Sequence, residues 1–251
     1  MRSFGKSDIG RLRSNNQDAF ICGRLSDTVL FAVVCDGMGG ANGGNVASAI
    51  AIRTIAERIA SSYRVGMTTA SMQNVLESAI AAANIEIYDR AAMDPELRGM
   101  GTTLVMAVAM DREILIAHVG DSRAYILLED GGIEQLTRDH SVVQQMVERG
   151  QITPEEARTH PRRNFITRAL GADVTVACDF TELTLPEEAK LLLCTDGLTN
   201  MLESDQIAAI VNDSPDRMAP QLLIDAANEA GGGDNITVAI MEEENGESET
   251  K

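Results

Sequence analysis

The chain has 251 residues, 44% apolar and 24% charged, with 21 basic against 38 acidic side chains and a formal net charge of −17. That length can bury a sizeable core in one large or two small domains, and the charge argues against nucleic acid or an anionic membrane as partner. Aromatic residues make up 3% and tryptophan is absent, which disfavours a stacking platform for single-stranded nucleic acid.

In chain order, the N-terminus Met1-Arg2-Ser3-Phe4-Gly5-Lys6 lacks the apolar core of a signal peptide. Short apolar runs bounded by Gly, Asp or Asn predict strands at Ala19–Cys22 and Val29–Cys35. Two amphipathic helices follow. The first aligns Ala49, Ile52, Ala56 and Ile59, and the second Met72, Val75, Ala79, Ala83 and Ile87. Strands are predicted again at Leu104–Ala109, Ile114–Val119 and Ala124–Leu128. The polar segment from Asp139 to Asn164 reads as an insertion, and within it Thr153-Pro154-Glu155-Glu156 is a capping box with proline at the first helical position. A strand at Lys190–Cys194, helices near Ser204–Val211 and Arg217–Ala230, and a last strand at Ile236–Met241 complete the pattern. Strands and helices in blocks favour an α+β fold. One domain over residues 1–241 and a disordered acidic tail over residues 242–251 are expected. No apolar stretch reaches the roughly 18 residues of a membrane span. Cys22, Cys35, Cys178 and Cys194 form no Cys-x-x-Cys pair, so they are expected to be free thiols. A cytoplasmic monomer is the expectation.

The densest local signal is Val34-Cys35-Asp36-Gly37-Met38-Gly39-Gly40-Ala41-Asn42-Gly43-Gly44. A dinucleotide fingerprint fails because Asn42 stands where the third glycine belongs, and Glu57 falls inside a predicted helix. A P-loop fails because Gly5-Lys6-Ser7 has no upstream glycine. A cysteine nucleophile with an arginine six residues on fails at all four cysteines, where Thr28, Ala41, Thr184 and Asn200 stand. What remains is a repeated carboxylate. Asp36-Gly37, Gly120-Asp121 and Asp196-Gly197 each end an apolar run, while Asp18 and Asp234 each precede one. A single Asp-Gly is most often a turn. Aspartates gathered at several strand ends repel one another unless a hard divalent cation neutralises them. The neighbouring glycines would let carbonyls and water approach.

In these motifs the chain resembles metal-dependent protein serine/threonine phosphatases of the protein phosphatase 2C type, in their compact bacterial form. The motifs are Arg13-Ser14-Asn15-Asn16-Gln17-Asp18, Cys35-Asp36-Gly37-Met38-Gly39-Gly40, Gly101-Thr102-Thr103, Val119-Gly120-Asp121-Ser122-Arg123-Ala124-Tyr125, Ile166-Thr167-Arg168-Ala169-Leu170-Gly171, Cys194-Thr195-Asp196-Gly197-Leu198 and Gly233-Asp234-Asn235-Ile236-Thr237. The resemblance implies a four-layer α-β-β-α sandwich, two antiparallel sheets with flanking helix pairs and a flap at about 139–164. It implies hydrolysis of phosphoserine and phosphothreonine by a metal-bridging hydroxide, reversing a bacterial Ser/Thr kinase. Two Mn²⁺ or Mg²⁺ ions would be bridged by Asp36, with the Gly37 carbonyl as a further ligand. Asp196 and Asp234 would complete the first ion. Asp18 would hold the second through water and position Arg13, and Asp121 with Asp196 would make a weaker third site. Arg13, Asp36 and Asp18 would be the catalytic residues. Two alternatives are a same-fold phosphatase acting on an anti-sigma-factor antagonist and a catalytically dead phosphoprotein-binding module.

Arg13 carries a fork suited to phosphate. Arg158, His160, Arg162, Arg163 and Arg168 form a basic stretch on an acidic chain. They are expected either as structural ion pairs or as a rim for phosphoprotein substrates, with Arg162 and Arg163 binding substrate alongside Arg13; a Ser/Thr kinase would suit such a rim. In animal relatives a histidine after the Asp-Gly pair is the proposed general acid, and some bacterial relatives carry one three residues further on. Here Met38 and Ala41 occupy those positions. His118 is expected in the core and His140 and His160 in the flap region, so a metal-bound water near Asp121 and Asp196 is expected to donate the proton.

Overall fold

The computed structural model describes residues 1–215 and 217–244. The order is β1 (Arg2–Asp8), β2 (Asp18–Ser26), β3 (Val29–Met38), α1 (Gly40–Ser62), α2 (Thr69–Met93), β4 (Gly101–Thr102), β5 (Leu104–Met110), β6 (Glu113–Val119), β7 (Arg123–Leu127), β8 (Ile133–Gln135), α3 (Val142–Glu148), α4 (Pro154–Thr159), β9 (Asp179–Thr184), β10 (Lys190–Cys194), α5 (Asp196–Thr199), α6 (Ser204–Asp213), α7 (Ala219–Glu229) and β11 (Ile236–Glu242). One sheet runs β1-β11-β10-β7-β8 and the other β2-β3-β5-β6-β9, with β4 beside β3. Every strand pairing is antiparallel.

Successive strand side chains point to opposite faces, so each internal strand feeds two cores. In β3, Val29, Phe31, Val33 and Cys35 pack toward α1 and α2, while Leu30, Ala32 and Val34 pack between the sheets. In β10, Leu191 and Leu193 face the other sheet, and Leu192 and Cys194 face α6 and α7. The molecule is therefore an α-β-β-α sandwich, the architecture the resemblance implies, and the block order of elements fits it. Sequential hydrophobic residues on both strand faces explain why the internal strands read as continuous apolar runs.

The strands invisible to hydropathy lie where that double burial stops. β1, β8 and β9 each end a sheet, and none of their residues is fully buried. Edge strands carry polar and charged side chains, so their sequences blend with loops. β2, the fourth edge, extends from Asp18 to Ser26, well past the apolar residues that announce it. The final strand continues through Glu242, which is buried and paired with Arg2 at 2.6 Å. That residue therefore belongs to the sheet and not to the expected tail, of which residues 245–251 lie outside the described residues.

The segment from Asp139 to Asn164 contains α3 and α4 and closes on an isolated bridge between Ser141 and Ile166. Thr153 and Glu156 form the reciprocal capping box. All four cysteines are free thiols. Among the described residues no helix is long and apolar enough to cross a membrane.

Candidate active site at one end of the sandwich

The inter-sheet layer turns polar at one end. The alternation that buries Leu30, Ala32 and Val34 between the sheets brings Asp36 next on the same face. On β2 the face that carries Phe20 and Cys22 inward starts with Asp18. Thr103 precedes Val105, Ala107 and Ala109 on β5 in the same way, and Thr237 precedes Ala239 and Met241 on β11. Thr195 follows Leu191 and Leu193, still held in the ladder by its N–H to the Thr237 carbonyl at 3.0 Å. A period of two thus carries the site residues into the gap between the sheets.

Asp18 and Asp36 are direct cross-strand partners, a placement that is unfavourable for like charges. The Asp36 backbone is pinned. Its N–H donates to Thr103 Oγ1 at 2.9 Å, and its carbonyl accepts from the Thr103 N–H and from Thr102 Oγ1, each at 2.8 Å. Asp196 opens α5, and its Oδ2 accepts from Asn200 at 2.9 Å. Asp234 precedes β11 and accepts from Arg13 at 2.7 Å. Asn235 ties this corner together: its Nδ2 donates to the carbonyls of Ile9 and Asn15, and its Oδ1 accepts from the Gln17 N–H at 2.8 Å. Asp121 follows Gly120, whose N–H donates to His140 Nδ1 at 3.1 Å and whose carbonyl accepts the His140 N–H at 2.7 Å.

At Gly37 the missing side chain admits backbone carbonyls, as expected. A Cβ on Gly37 would lie 2.1 Å from the Gly44 carbonyl oxygen and 2.5 Å from that of Gln17. Backbone therefore packs on backbone where β3 turns into α1, and this contact excludes a side chain at Gly37.

Burial raises the pKa of Asp18, Asp36, Asp121 and Asp196. Asp36 is pushed well above the usual carboxylate range by desolvation and then by the charges of Asp18, Asp196, Asp121 and Asp234. Desolvation, with smaller contributions from Asp196 and Asp234, lifts Asp18 to about 7. Asp121 and Asp196 move upward for the same first reason. Asp18 Oδ1 and Asp196 Oδ1 are buried with no hydrogen-bond partner in the protein. With raised pKa values these oxygens call for a proton or a cation, and in the ionised form, which accepts only, the partner they lack is a cation or a water. The donor set, all hard oxygen, fits Mn²⁺ or Mg²⁺. Among the described residues no three His, Cys, Asp or Glu side chains are grouped to hold an ion. Coordination shared with water suits that spacing, because Mg²⁺ keeps several waters.

A stability prediction follows. An acid whose folded-state pKa is raised holds a proton that the unfolded chain has already released, so stability falls as pH rises between the two values. For Asp18 that window runs from 3.8 to about 7. Metal-free protein should melt higher at pH 5.5 than at pH 7.5. Mn²⁺ at about 100 times its Kd should add about 2.7 kcal/mol, a rise of about 5–10 °C, and the rise should be greatest at pH 7.5. A melting temperature insensitive to Mn²⁺ throughout would count against ion binding here.

Several expected roles are relocated. Arg13 was expected to be positioned by Asp18, but it pairs with Asp234, while Asp18 Oδ2 accepts from Thr195 and Thr237. The basic stretch divides: Arg158 pairs with Glu203 and Arg168 with Asp179, each at 2.7 Å. Arg162 contacts Met146 Sδ at 3.8 Å. Arg163 lines a groove of about 830 Å³ that also touches Asp121, Asp196, Arg123, Asp139 and Arg158. None of the three histidines lines it. His118 is buried in the core as expected, its pKa pushed down to about 4 by burial, with its ring 4.6 Å from that of His140. His140 is itself buried; its Nδ1 accepts from the Gly120 N–H, which leaves its Nε2–H to donate to Asp179, so it is not a free flap side chain. Thr195 and Thr237 were quoted within motifs without a role; their signal was the hydroxyl beside Asp196 and two places after Asn235.

A profile of the protein family described as Protein phosphatase 2C matches residues 5–227. The chain belongs to the protein phosphatase 2C family. This phosphatase is 37% identical over 238 residues to the serine/threonine phosphatase stp of Listeria monocytogenes, spanning 94% of each chain. Its structure resembles the crystal structure of serine/threonine phosphatase Stp1 from Staphylococcus aureus, with a TM-score of 0.90 and 34% identity, covering 97% of this chain and 95% of that one. The catalytic domain of serine threonine protein phosphatase PstP, solved in complex with two manganese ions, matches with a TM-score of 0.82 at 34% identity, over 95% and 96% of the chains. These likenesses make the four-layer sandwich an enzyme fold of this family.

Proposed function

We propose that this phosphatase hydrolyses phosphoserine and phosphothreonine in proteins, using divalent cations held by Asp36, the Gly37 carbonyl, Asp18, Asp196 and Asp234. A weaker third ion would sit at Asp121 with Asp196. The observation that carries the reading is the pair of buried, unpartnered oxygens Asp18 Oδ1 and Asp196 Oδ1 in a cluster of desolvated carboxylates. The PstP relative solved with two manganese ions supports the choice of metal. When bound, such cations supply an activated water and screen the phosphoryl charge.

The chain's own residues do the rest. Asp36, fixed by three backbone bonds, sets the geometry of the cluster. Arg13 is half exposed and held by Asp234, so its remaining donors orient the phosphate at the cluster's edge. Arg163 in the groove, with Arg162 beside it, holds the polypeptide that flanks the phosphorylated residue. A phosphorylated Ser/Thr kinase is the partner this rim suits. With no histidine in the groove, the proton for the leaving alkoxide comes from water near Asp121 and Asp196.

The test compares turnover of a phosphothreonine peptide and of p-nitrophenyl phosphate with and without Mn²⁺. Activity on both that requires Mn²⁺ supports the reading, and absence of activity with Mn²⁺ present leaves only a binding module. Arg13→Ala should raise KM about tenfold or more, because a hydrogen bond to a charged group contributes about 1.5–3 kcal/mol. An unchanged KM with a lowered melting temperature would make Arg13 a purely structural partner of Asp234.

A further inference from the structure

We infer that the hydroxyls of Thr195 and Thr237 are the positioning device for Asp18, gripping it from the opposite sheet so that a single oxygen faces the metal centre. The inference rests on the reading of Asp18 as a residue that holds a divalent cation.

Asp18 opens β2 in one sheet, whereas Thr195 and Thr237 belong to the other, at the end of β10 and within β11. Thr195 Oγ1 donates to Asp18 Oδ2 at 2.9 Å and Thr237 Oγ1 donates to the same oxygen at 2.7 Å. Both threonines are fully buried. A hydroxyl has one proton to give, which fixes the direction of every further bond. Thr195 Oγ1, its proton spent on Asp18, accepts the Thr237 N–H at 3.0 Å. Thr237 Oγ1, likewise committed, must accept from Ser7 Oγ at 2.7 Å. Ser7 Oγ in turn accepts from Asn16 Nδ2 at 2.8 Å. The chain of donors therefore runs one way, from Asn16 through Ser7 and Thr237 to Asp18 Oδ2.

Two consequences follow for the carboxylate. Its Oδ2 is saturated by neutral donors and its plane is fixed by two bonds from different strands. Its Oδ1 remains buried and unpartnered, so it is the oxygen left for an ion or an ion's water. Asp18 also lies directly across from Asp36, and without the two hydroxyls its charge would have reason to rotate away. Residues that orient a ligand without touching the metal typically matter about 10–100-fold in metal affinity.

The experiment is calorimetric titration of the metal-free protein with Mn²⁺, together with melting curves. It takes the wild type, Thr195→Val, Thr237→Val, Thr237→Ser, Ser7→Ala and Asp18→Asn. Valine keeps the shape and removes the donor, so each valine variant should weaken Mn²⁺ binding about 10-fold or more. Thr237→Ser, which keeps the hydroxyl, should stay close to wild type. Ser7→Ala should weaken binding less than Thr237→Val. Valine variants that melt lower but bind Mn²⁺ like the wild type would overturn the inference and leave the hydroxyls as packing. A valine variant too unstable to titrate passes the decision to Thr237→Ser and Ser7→Ala; Ser7→Ala binding as the wild type would then refute the relay. If Asp18→Asn itself binds Mn²⁺ unchanged, the metal role of Asp18 is what fails, and the inference falls with it.

Discussion

Asp36→Asn should lower kcat about 1,000-fold or more, because cation stabilisation of the transition state contributes several kcal/mol and about 1.36 kcal/mol is a factor of ten. The substitution keeps the shape of the side chain and the three bonds to its backbone, so the fold should survive. It removes the carboxylate on which the charges of Asp18, Asp196, Asp121 and Asp234 all act. Two measurements separate this from simple damage. The metal-free variant should melt higher than metal-free wild type, because the amide escapes both the proton uptake and the desolvated charge that burial imposes on Asp36. Its gain in melting temperature on adding Mn²⁺ should shrink sharply. Exhaustive chelation should abolish wild-type activity, and Mn²⁺ should restore it. Full turnover after EDTA dialysis would sink the metal reading.

Gly37→Ala should cost about 3 kcal/mol or more, the upper part of the range for overpacking, because the new methyl meets backbone that cannot rotate aside. The Gly44 and Gln17 carbonyl oxygens stand 2.1 and 2.5 Å from its position. At about 2–4 °C per kcal/mol for a chain of this size, the melting temperature should drop by about 6–12 °C. Turnover should fall as well, since Asp36 and Asp18 sit on either side of the displaced segment. Gly43→Ala is the control. Its methyl would meet the Met100 side chain at 3.0 Å, and alanine favours the helix by about 1 kcal/mol. Its effect should be far smaller. Equal losses in the two variants would show that the Gly37–Gly44 contact is not special.

Internal strands were legible because both of their faces are buried and their apolar residues run unbroken, as in Lys190–Cys194. Edge strands such as Arg2–Asp8 and Asp179–Thr184 were not, because solvent on one side removes the hydropathy that marks a strand. Asp18, Asp36, Asp121, Asp196 and Asp234 could be picked out because each stands in a short motif beside glycine, asparagine or a strand. Their order along the chain was enough to nominate a metal centre.

Which atoms meet was a different matter. Arg13 and Asp234 are 221 positions apart, and Asp18 meets Thr195 and Thr237 across 177 and 219. No local pattern encodes such pairs, which depend on how two sheets stack. The same holds for Arg158 with Glu203 and for His140 beneath Gly120. Composition, motif order and strand periodicity suffice for the fold class, the family resemblance and the identity of the carboxylates, because these are properties of neighbours in the chain. The partner of each charge, the oxygen of Asp18 left bare and the carbonyls that forbid a side chain at Gly37 emerge only when the sheets are packed, because they depend on distances of a few ångströms between segments far apart in sequence.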